Sequence, residues 1–340
     1  MKTWAWTIVV LGLLPAAGFA QDEKKSKTVK LATLAPKDSP WHMILQDMGE
    51  QWKQASGGKV KLQIYTEGMG DEPAMVKKMR IGQLHAAALT GVGLSEIVPE
   101  IMMLQLPMML NSDEELDYVR EKLAPRFEAM LKKEHFILLN WGDAGWCYYF
   151  GQTPLLSLDD VKKAKLFCWA GADGQFAGWK DIGANPVALT PAEMHTALQT
   201  GRINAFATTP LAALSFQWFG LAREMSDMKW APLIGATIIS ETLWNSFPDD
   251  LKAAFMKSAE KAGERFRAET RSKSAEAIEI MKKNKLTVHH APAEVYPEWE
   301  KQARIAWPKL LGAAYNEDLV KEIQRYRDEF RARAREGEKK

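Results

Sequence analysis

The chain has 340 residues, of which 46% are hydrophobic and 26% are charged, and its formal net charge is +2. This composition is typical of a soluble globular protein, and the small net charge does not indicate binding to nucleic acid or to an acidic membrane surface. Because the length exceeds what one hydrophobic core usually supports, we expect two lobes.

The first 20 residues predict a secretory signal peptide. A charged start at Met1-Lys2 is followed by an apolar run over residues 4–14, and Gly18 and Ala20 place small side chains before a cleavage site. An uncleaved membrane anchor is the alternative, but the apolar run is short for a membrane span. We therefore predict an exported protein that is cleaved after Ala20.

The next part of the chain predicts alternating strands and helices. Ser39 precedes Pro40 at a helix start, because Pro is favoured at the first helical position, and Gly57-Gly58 ends that helix. The predicted strands cover residues 28–34, 59–65, 85–90, 136–141 and 146–150. The predicted helices cover residues 39–56, 72–81 and 111–134.

Residues 165–210 predict a β-α-β-α-β unit. Thr190 with Pro191 opens the second helix, and Glu193 completes a capping box with Thr190. The strands cover residues 165–169, 185–189 and 203–208, and helices connect them. Sheets with crossover helices bind ligands beyond the ends of their strands, so we expect a binding site here.

The remaining chain is mainly helical. Residues 230–236 lead into a predicted strand over 237–243, and a long amphipathic helix covers 248–284. A short strand over 288–290 and helices over 297–315 and 317–335 follow. The last helix is charged and predicts a solvated face, with packing across the back of the protein as the alternative.

Several motifs occur in one consistent order. They are A-T-x-A-P-x-x-S-P-W over residues 32–41, I-G-Q-L over 81–84, G-A-N-P-V over 183–187 and A-L-Q-x-G over 197–201. In this order, from residue 1 to about residue 285, the chain resembles the solute receptors of tripartite ATP-independent periplasmic (TRAP) transporters.

The resemblance implies an α/β fold: a two-lobed periplasmic-binding-protein fold with crossover strands and a long helix spanning both lobes. It divides the chain into a signal peptide, two discontinuous lobes and a charged tail. Lobe I is expected to comprise residues 28–142 plus 230–268, lobe II residues 143–229 plus 269–330, and the tail residues 331–340. The implied function is capture of a small molecule in the periplasm and its delivery to the integral-membrane permease subunits of a TRAP transporter.

The chain departs from the family where ligand charge is recognised. Phe167 occupies the position of the family's ligand-clamping Arg, and Trp146 occupies that of a second basic or polar contact. The strand after Gly201 also lacks the family's charged contacts. The chain is thus predicted to be a divergent member whose ligand is uncharged and amphipathic or apolar rather than a small dicarboxylate. Alternatively, these aromatic side chains are simply lobe core.

The candidate ligand contacts come from both lobes. The predicted contacts are Trp41, Met69, Thr90 and Gly91 from the first lobe, and Trp146, Phe167, Trp169, Phe206, Thr208 and Trp230 from the second lobe and the hinge. Thr90 and Thr208 are expected to supply orienting hydrogen bonds. Because Phe167 and Trp169 are two residues apart on a strand, they are expected to face the same side, with Cys168 pointing away.

No catalytic motif was found, and we predict no enzyme, no cofactor and no metal site. Adjacent His289 and His290 point to opposite faces of a strand, which makes a poor metal chelate. Three alternatives remain open: an extracytoplasmic sensor or scaffold docking a signalling partner, a conventional organic-acid receptor with an unrecognised cationic contact, and an exported enzyme. The sequence also leaves open the oligomeric state and whether Cys147 and Cys168 form a disulfide.

Overall fold

Two β-sheets that share one long strand organise the chain. The computed structural model describes residues 26–337, so the predicted signal peptide lies outside the described residues. The strands are β1 (Lys27–Thr33), β2 (Val60–Tyr65), β3 (Ala86–Thr90), β4 (Phe136–Gly151), β5 (Lys165–Trp169), β6 (Asn185–Leu189), β7 (Ala205–Thr208), β8 (Glu224–Ser226), β9 (Ala231–Ser240) and β10 (Thr287–His289).

Twelve α-helices in the described part of the chain cover the two sheets. They are α1 (Pro40–Ala55), α2 (Glu72–Arg80), α3 (Gly91–Ser95), α4 (Asp113–Lys133), α5 (Leu158–Lys163), α6 (Asp173–Asp181), α7 (Pro191–Gln199), α8 (Pro210–Ser215), α9 (Glu241–Asn245), α10 (Asp249–Lys283), α11 (Tyr296–Leu311) and α12 (Glu317–Gly337). Several of them begin as the sequence predicts. The side chain of Ser39 caps α1 ahead of Pro40, and Glu193 accepts from the Thr190 amide and hydroxyl at the start of α7.

Lobe I is built on the sheet with strand order β2-β1-β3-β9-β4. Strand β1 pairs in parallel with β2 and β3, whereas β9 runs antiparallel to β3 and β4. Apolar side chains fill both faces: Leu116 and Phe127 of α4 pack on one, and Trp52 of α1 and Phe255 of α10 pack on the other. The sheet is therefore covered on both sides, as in other parallel-rich sheets.

Lobe II is built on the second half of β4, which pairs with β7, and on the order β7-β5-β6 that follows. Strands β8 and β10 extend this sheet from the other side of β4. The predicted β-α-β-α-β unit is therefore present as β5-α6-β6-α7-β7, with β5 parallel to both β6 and β7. Two apolar cores, one around Tyr149 and Trp299 and the other around Phe150 and Phe206, fill the lobe.

Strand β4 crosses between the lobes without a turn. The sequence predicts two strands, over 136–141 and 146–150. The structure shows one strand of 16 residues, since residues 142–145 stay paired with β9 through a register shift between Asp143 and Gly145. Gly145 has a φ of +103°, which a glycine adopts readily, so the segment between the two predicted strands is a β-bulge at the hinge.

Strand β9 also differs from the prediction, which placed a strand over 237–243. The observed strand begins at Ala231, because residues 231–236 pair with β4, and it ends at Ser240. Ser240 then caps α9 by accepting from the Leu243 amide. The Ser-Glu pair that opens α9 is a helix-start signal that the sequence prediction did not use.

Helix α10 is the predicted long helix, with 35 residues, and it contacts both lobes. Its first half contributes Phe255 and Phe266 to the core of lobe I, and Met281 near its end packs in lobe II. Asp249 and Asp250 in the first turn complement the helix dipole. The two-lobed α/β fold with a long helix spanning both lobes is confirmed.

Helix α12 packs on α4 of lobe I, whereas the predicted division assigns residues up to 330 to lobe II. Leu319, Val320 and Ile323 are buried against the core of lobe I. Arg331, in the predicted charged tail, is still helical and forms an ion pair with Glu115 of α4. One apolar face of α12 thus packs against lobe I, in agreement with the alternative that the last helix packs on the protein. No helix among residues 26–337 is both long and apolar enough to span a membrane.

Candidate functional site

A cavity of about 120 Å³, here called the first cavity, lies between the two lobes. Trp41, Glu72 and Thr90 line it from lobe I, and Trp169 and Phe216 line it from lobe II. Further wall residues come from elements that join the lobes, which are Asn140 and residues 142–144 of β4, residues 233–237 of β9 and Phe266 of α10. The cavity is therefore bounded by both lobes and by the hinge.

A second cavity of about 100 Å³ adjoins the first, because the two share Thr90, Trp169, Thr208 and Leu233 in their walls. The rest of its wall is mainly aliphatic, from Val, Met, Leu, Ala and Pro residues. Its further aromatic, amide and thiol side chains are Phe167, Trp179, Trp230, Gln105, Gln175 and Cys147. The cleft between the lobes thus contains two chambers of similar size and different polarity.

The carboxyl ends of parallel strands from both lobes lie at this cleft. In lobe I, β1 ends at Thr33 and β3 ends at Thr90; in lobe II, β5 ends at Trp169 and β7 ends at Thr208. All four residues line the first cavity. This is the position at which open α/β sheets bind ligands, since the strand ends leave a crevice at one edge of the sheet.

The cavity walls carry no positive charge. Among the described residues, neither wall contains a Lys, Arg or His side chain, and Glu72 and Asp143 are the acidic ones. Burial raises the pKa of the Cys147 thiol to about 12, so this side chain is neutral at pH 7. A bound carboxylate would therefore lie in an apolar cleft without a cation to pair with it.

The Glu72 carboxylate is satisfied by the protein itself. Its oxygens accept from the Thr90 amide at 2.7 Å, the Thr90 hydroxyl at 2.6 Å and the Gly93 amide at 2.8 Å. Burial raises the pKa of Glu72, although these hydrogen bonds act in the opposite direction. Glu72 thus links the start of α2 to the end of β3.

Asp143 belongs to a hinge ion cluster, which we define as Asp117 and Arg120 of α4, Asp143 of β4 and Arg271 of α10. Arg120 and Arg271 both donate to the Asp143 carboxylate, the latter at 2.9 Å. Arg271 also donates to both oxygens of Asp117, at 2.6 and 2.8 Å. The two guanidinium groups are therefore engaged behind the cavity wall and connect three elements at the hinge.

A hydrogen-bond chain connects this cluster with the cavity. Trp41 donates its indole N–H to the Thr270 hydroxyl at 3.2 Å, and that hydroxyl donates to the Asp143 carbonyl at 3.1 Å. Trp41 lies at the start of α1 in lobe I, and Thr270 is a buried residue of α10. The position of this cavity-lining indole is therefore fixed by the hinge.

Six of the ten predicted contacts line the two cavities. Trp41 lies in the wall of the first cavity, Phe167 and Trp230 in that of the second, and Thr90, Trp169 and Thr208 in both. The rings of Phe167 and Trp169 meet edge to face at 5.2 Å, whereas Cys168 donates to Gln175 and is not part of either wall. That these six residues contact a ligand remains a prediction.

The other four predicted contacts lie outside both walls. Phe206 stacks on Phe150 at 5.2 Å in the core of lobe II. The indole N–H of Trp146 donates to Asp113 at 3.0 Å, and its ring is buried against lobe I. Met69 packs at the edge of the lobe I core, and Gly91 is covered by the Gln105 side chain, which a Cβ there would meet at 2.4 Å. We therefore leave these four residues out of the proposed contact set.

Sequence reasoning missed several side chains that line the cavities. Gln105 was visible as a polar residue inside the apolar run over 101–110, and Phe266 was visible on the apolar face of the long helix. No local signal identified Asn140, Phe216 or Gln175, because their places in the walls depend on how the two lobes meet.

Comparison with known proteins identifies the family and the fold. Residues 31–312 match the model of the family described as bacterial extracellular solute-binding protein, family 7. The chain belongs to this family. The resemblance to TRAP solute receptors is thereby confirmed.

Individual relatives of this family 7 protein are distant. The uncharacterized protein YiiZ of Salmonella typhimurium is 24% identical over 212 residues, which cover 59% of this chain and 63% of that protein. A TRAP periplasmic solute binding protein from Xanthobacter autotrophicus, solved with bound β-D-galacturonate, has a TM-score of 0.80 at 18% identity and covers 88% of this chain and 99% of its own. One from Sulfurospirillum deleyianum, solved with bound succinate, has a TM-score of 0.79 at 21% identity and covers 87% and 98%.

The two cysteines of this family 7 protein are free thiols. Cys147 lies on β4 and Cys168 on β5, and β7 pairs with both strands and so lies between them. Two interstrand spacings amount to roughly 9–10 Å, which is longer than the Cα separation that a disulfide allows. Of the two alternatives that the sequence left open, the structure therefore shows two unlinked thiols.

The adjacent histidines pair with different carboxylates. His289 contacts Glu224 at 2.5 Å, and His290 contacts Asp227 at 2.6 Å. Both contacts connect the β10 region to the β8 region of lobe II. No group of His, Cys, Asp or Glu with the arrangement of a metal site occurs among residues 26–337.

The lobes touch each other at the mouth of the cleft. A Cβ at Gly171 of lobe II would lie 2.7 Å from the ring of Pro73 in lobe I, which is closer than such atoms approach. Gly171 also has a φ of +89°, which disfavours any other residue. The structure is thus a closed arrangement in which one glycine allows the lobes to meet.

Replacing Gly171 with alanine is expected to favour an open arrangement, measured as a larger radius of gyration by small-angle X-ray scattering. Gly183→Ala is the matched control, because Gly183 has a similar φ of +86° and nothing lies within 4 Å of its Cβ position. Both substitutions should cost about 1–2 kcal/mol of stability through backbone strain. An equal radius of gyration for the two variants would contradict a role of this contact in closure.

Proposed function

We propose that this family 7 protein is a periplasmic receptor that captures an uncharged, amphipathic or largely apolar small molecule between its lobes and delivers it to the membrane permease of a TRAP-type transporter. The observation that carries this proposal is a cleft lined by aliphatic, aromatic and amide side chains, with no Lys, Arg or His in its walls among residues 26–337. Closure of two lobes around a ligand is the motion that such a hinge supports.

Electrostatics disfavour a small anion in this cleft. Removing a carboxylate from water without a partner is strongly unfavourable, and the usual solution is a bidentate Arg. Arg120 and Arg271 lie near the first cavity but are bound to aspartates of the hinge ion cluster. A third guanidinium, on Arg267, donates to the Trp141 carbonyl. The walls instead offer Trp, Phe, amide and hydroxyl groups, which suit a neutral ligand.

A conventional organic-acid receptor is the second candidate, because the two similar crystal structures hold galacturonate and succinate. This candidate requires a cationic side chain to enter the cleft when a ligand binds. It also predicts that acids of this kind stabilise the protein, which the neutral-ligand proposal does not.

Export through the predicted signal peptide and transfer to a permease are parts of the proposal that rest on the family and on residues 1–20. N-terminal sequencing of protein recovered from the periplasm should show a chain that begins at Gln21. A chain that keeps residues 1–20 would contradict cleavage after Ala20 and would favour a membrane anchor.

The decisive experiment is native mass spectrometry of the mature protein as purified, followed by extraction of the molecule that it carries. A neutral molecule with an apolar part is the expected result. As a control, ligand-free refolded protein should show no shift in unfolding temperature with succinate or D-galacturonate. A co-purified carboxylic acid, or clear stabilisation by either acid, would favour the organic-acid receptor and overturn the neutral-ligand proposal.

A further inference from the structure

The two cavities of the cleft differ in the hydrogen-bonding groups that they offer. They meet at Thr90, Trp169, Thr208 and Leu233, so a ligand can extend from one into the other. In the first wall the Glu72 and Asp143 carboxylates are bonded to protein donors, and the side-chain oxygen of Asn140 is an acceptor without a partner among residues 26–337. The second cavity contains neutral side chains with unused hydrogen-bonding capacity.

Gln105 and Gln175 provide amide groups in the second wall. The Gln105 carbonyl accepts from the Ile234 amide at 2.8 Å, but its NH2 group donates only to the sulfur of Met102, which is a weak acceptor. The Gln175 carbonyl accepts from the Cys168 thiol at 3.5 Å, and no acceptor for its NH2 group is found among residues 26–337. Each amide therefore retains donor capacity beside the cavity.

Thr208 stands where the two cavities meet. Its side chain is 1% exposed, and its hydroxyl oxygen is buried without a hydrogen-bond partner in the described part of the chain. A buried hydroxyl without a partner is unfavourable, and native proteins generally satisfy such groups. Because Thr208 lines both cavities, a ligand that crosses from one to the other could supply the missing partner.

The wall of the second cavity also lacks ionised side chains among the described residues. Its described side chains include no Asp, Glu, Lys, Arg or His, and burial raises the pKa of Cys147 to about 12, which keeps the thiol neutral. An ionised group on the ligand would thus be desolvated without a countercharge. A neutral group that accepts hydrogen bonds matches both the donors and the absence of charge.

We propose that the second cavity is a subsite for a neutral carbonyl, amide or hydroxyl group of a ligand whose apolar body fills the first cavity, and that Thr208, Gln105 and Gln175 recognise this group. This assignment rests on the proposed neutral ligand. It adds an orientation, with the polar group of the ligand in the second cavity and its apolar body in the first. The volumes set the scale, since a protein cavity of about 150 Å³ binds benzene. The first cavity, at about 120 Å³, therefore suits a single ring or a short branched chain.

The test uses three probes of nearly equal shape on the mature protein freed of ligand: hydrocinnamamide, hydrocinnamate and isopentylbenzene. Titration calorimetry at pH 7 measures the ratio of the association constants of the amide and the hydrocarbon in each variant. Thr208→Val and Gln175→Met should each lower this ratio about tenfold, as the loss of one hydrogen bond predicts. Thr196→Val, on the exposed side of α7, is the control and should preserve the ratio.

The outcomes separate the subsite from the proposed function. Tighter binding of hydrocinnamate than of the amide overturns the neutral-ligand proposal and the subsite with it. Unchanged ratios in both variants, or binding of none of the probes, overturns the subsite alone. A second readout needs no ligand: Thr208→Val should keep or raise the unfolding temperature of the ligand-free protein, and a lower one would show that the hydroxyl is already satisfied.

Discussion

Replacing Phe167 with arginine is expected to lower the free energy of unfolding of the ligand-free protein by about 3–5 kcal/mol, the range for a buried charge left without a partner. Phe167 is 5% exposed, and its neighbours in the second cavity are aromatic rings, amides and a neutral thiol. No carboxylate among the described residues of that wall can pair with the new guanidinium.

The same variant is expected to gain a response to anions. A carboxylate entering the second cavity would pair with the guanidinium in a water-poor site, where such bidentate pairs are strong. Succinate and D-galacturonate should therefore restore part of the lost stability in Phe167→Arg and leave the wild type unchanged. Chemical denaturation with and without each acid measures both effects.

Phe167→Met is the matched control, because it changes the shape of the side chain without adding a charge. We expect a loss below about 1.5 kcal/mol and no response to acids. If the wild type and Phe167→Arg respond equally to the acids, another cation must reach the ligand, and the interpretation of position 167 is wrong.

Replacing Arg120 with methionine is expected to cost about 3–5 kcal/mol in the free energy of unfolding, because it leaves Asp143 with Arg271 as its remaining ionic partner. The side chains of Arg120 and Asp143 are 5% and 3% exposed, so water cannot replace the lost interaction. Asp143 also lies at the bulge where β4 passes between the lobes. The loss should therefore include looser coupling of the lobes, visible as faster hydrogen exchange in β4.

The contribution of the hinge ion cluster to the free energy of unfolding should decrease at low pH. Burial alone would raise the pKa of Asp117, but hydrogen bonding from Arg271 and the charges of Arg120 and Arg271 outweigh burial and lower it. A carboxyl group with a lowered pKa in the folded state stabilises the protein above its unfolded pKa, at about 3.9 for Asp. This stabilisation is lost as the pH falls through the lower folded value, so the difference between wild type and Arg120→Met should shrink below about pH 4.

Arg126→Met provides the control on the same helix. Arg126 pairs with Glu322 of α12, and both side chains are well exposed, at 41% and 28%. Exposed ion pairs contribute roughly 0–1 kcal/mol, so this substitution should have a small effect. Equal losses for Arg120→Met and Arg126→Met would contradict the role of the hinge ion cluster.

Local sequence signals predicted most elements because their causes are local. Ser39 and Pro40 start α1, the Thr190 and Glu193 pair starts α7, and the apolar periodicity over 248–284 predicts α10. One boundary was wrong because strand pairing is not a local property. The sequence predicts separate strands on either side of residues 142–145, but pairing with β9 makes this segment part of one bulged strand.

The candidate site was only partly accessible from sequence. Phe167 and Phe206 are both strand residues with an aromatic ring, yet only Phe167 lines a cavity, while Phe206 stacks inside its own lobe. Alternation along a strand tells which residues share a face, but it does not tell which face meets the other lobe. Trp146 likewise does not line either cavity, because its indole N–H donates to Asp113 of α4, which is 33 positions away along the chain.

By itself, the sequence determined the family, the order of the elements and the long helix, because motifs and periodicity lie within short stretches of chain. Only the tertiary structure decided that Arg120 and Arg271 are bound to aspartates at the hinge, that the cysteines are separated by a strand, and that the cleft has two chambers. These features depend on contacts between residues far apart in the chain, such as Asp117 and Arg271, which are 154 positions apart. Such contacts follow from how whole elements pack, and no local pattern encodes them.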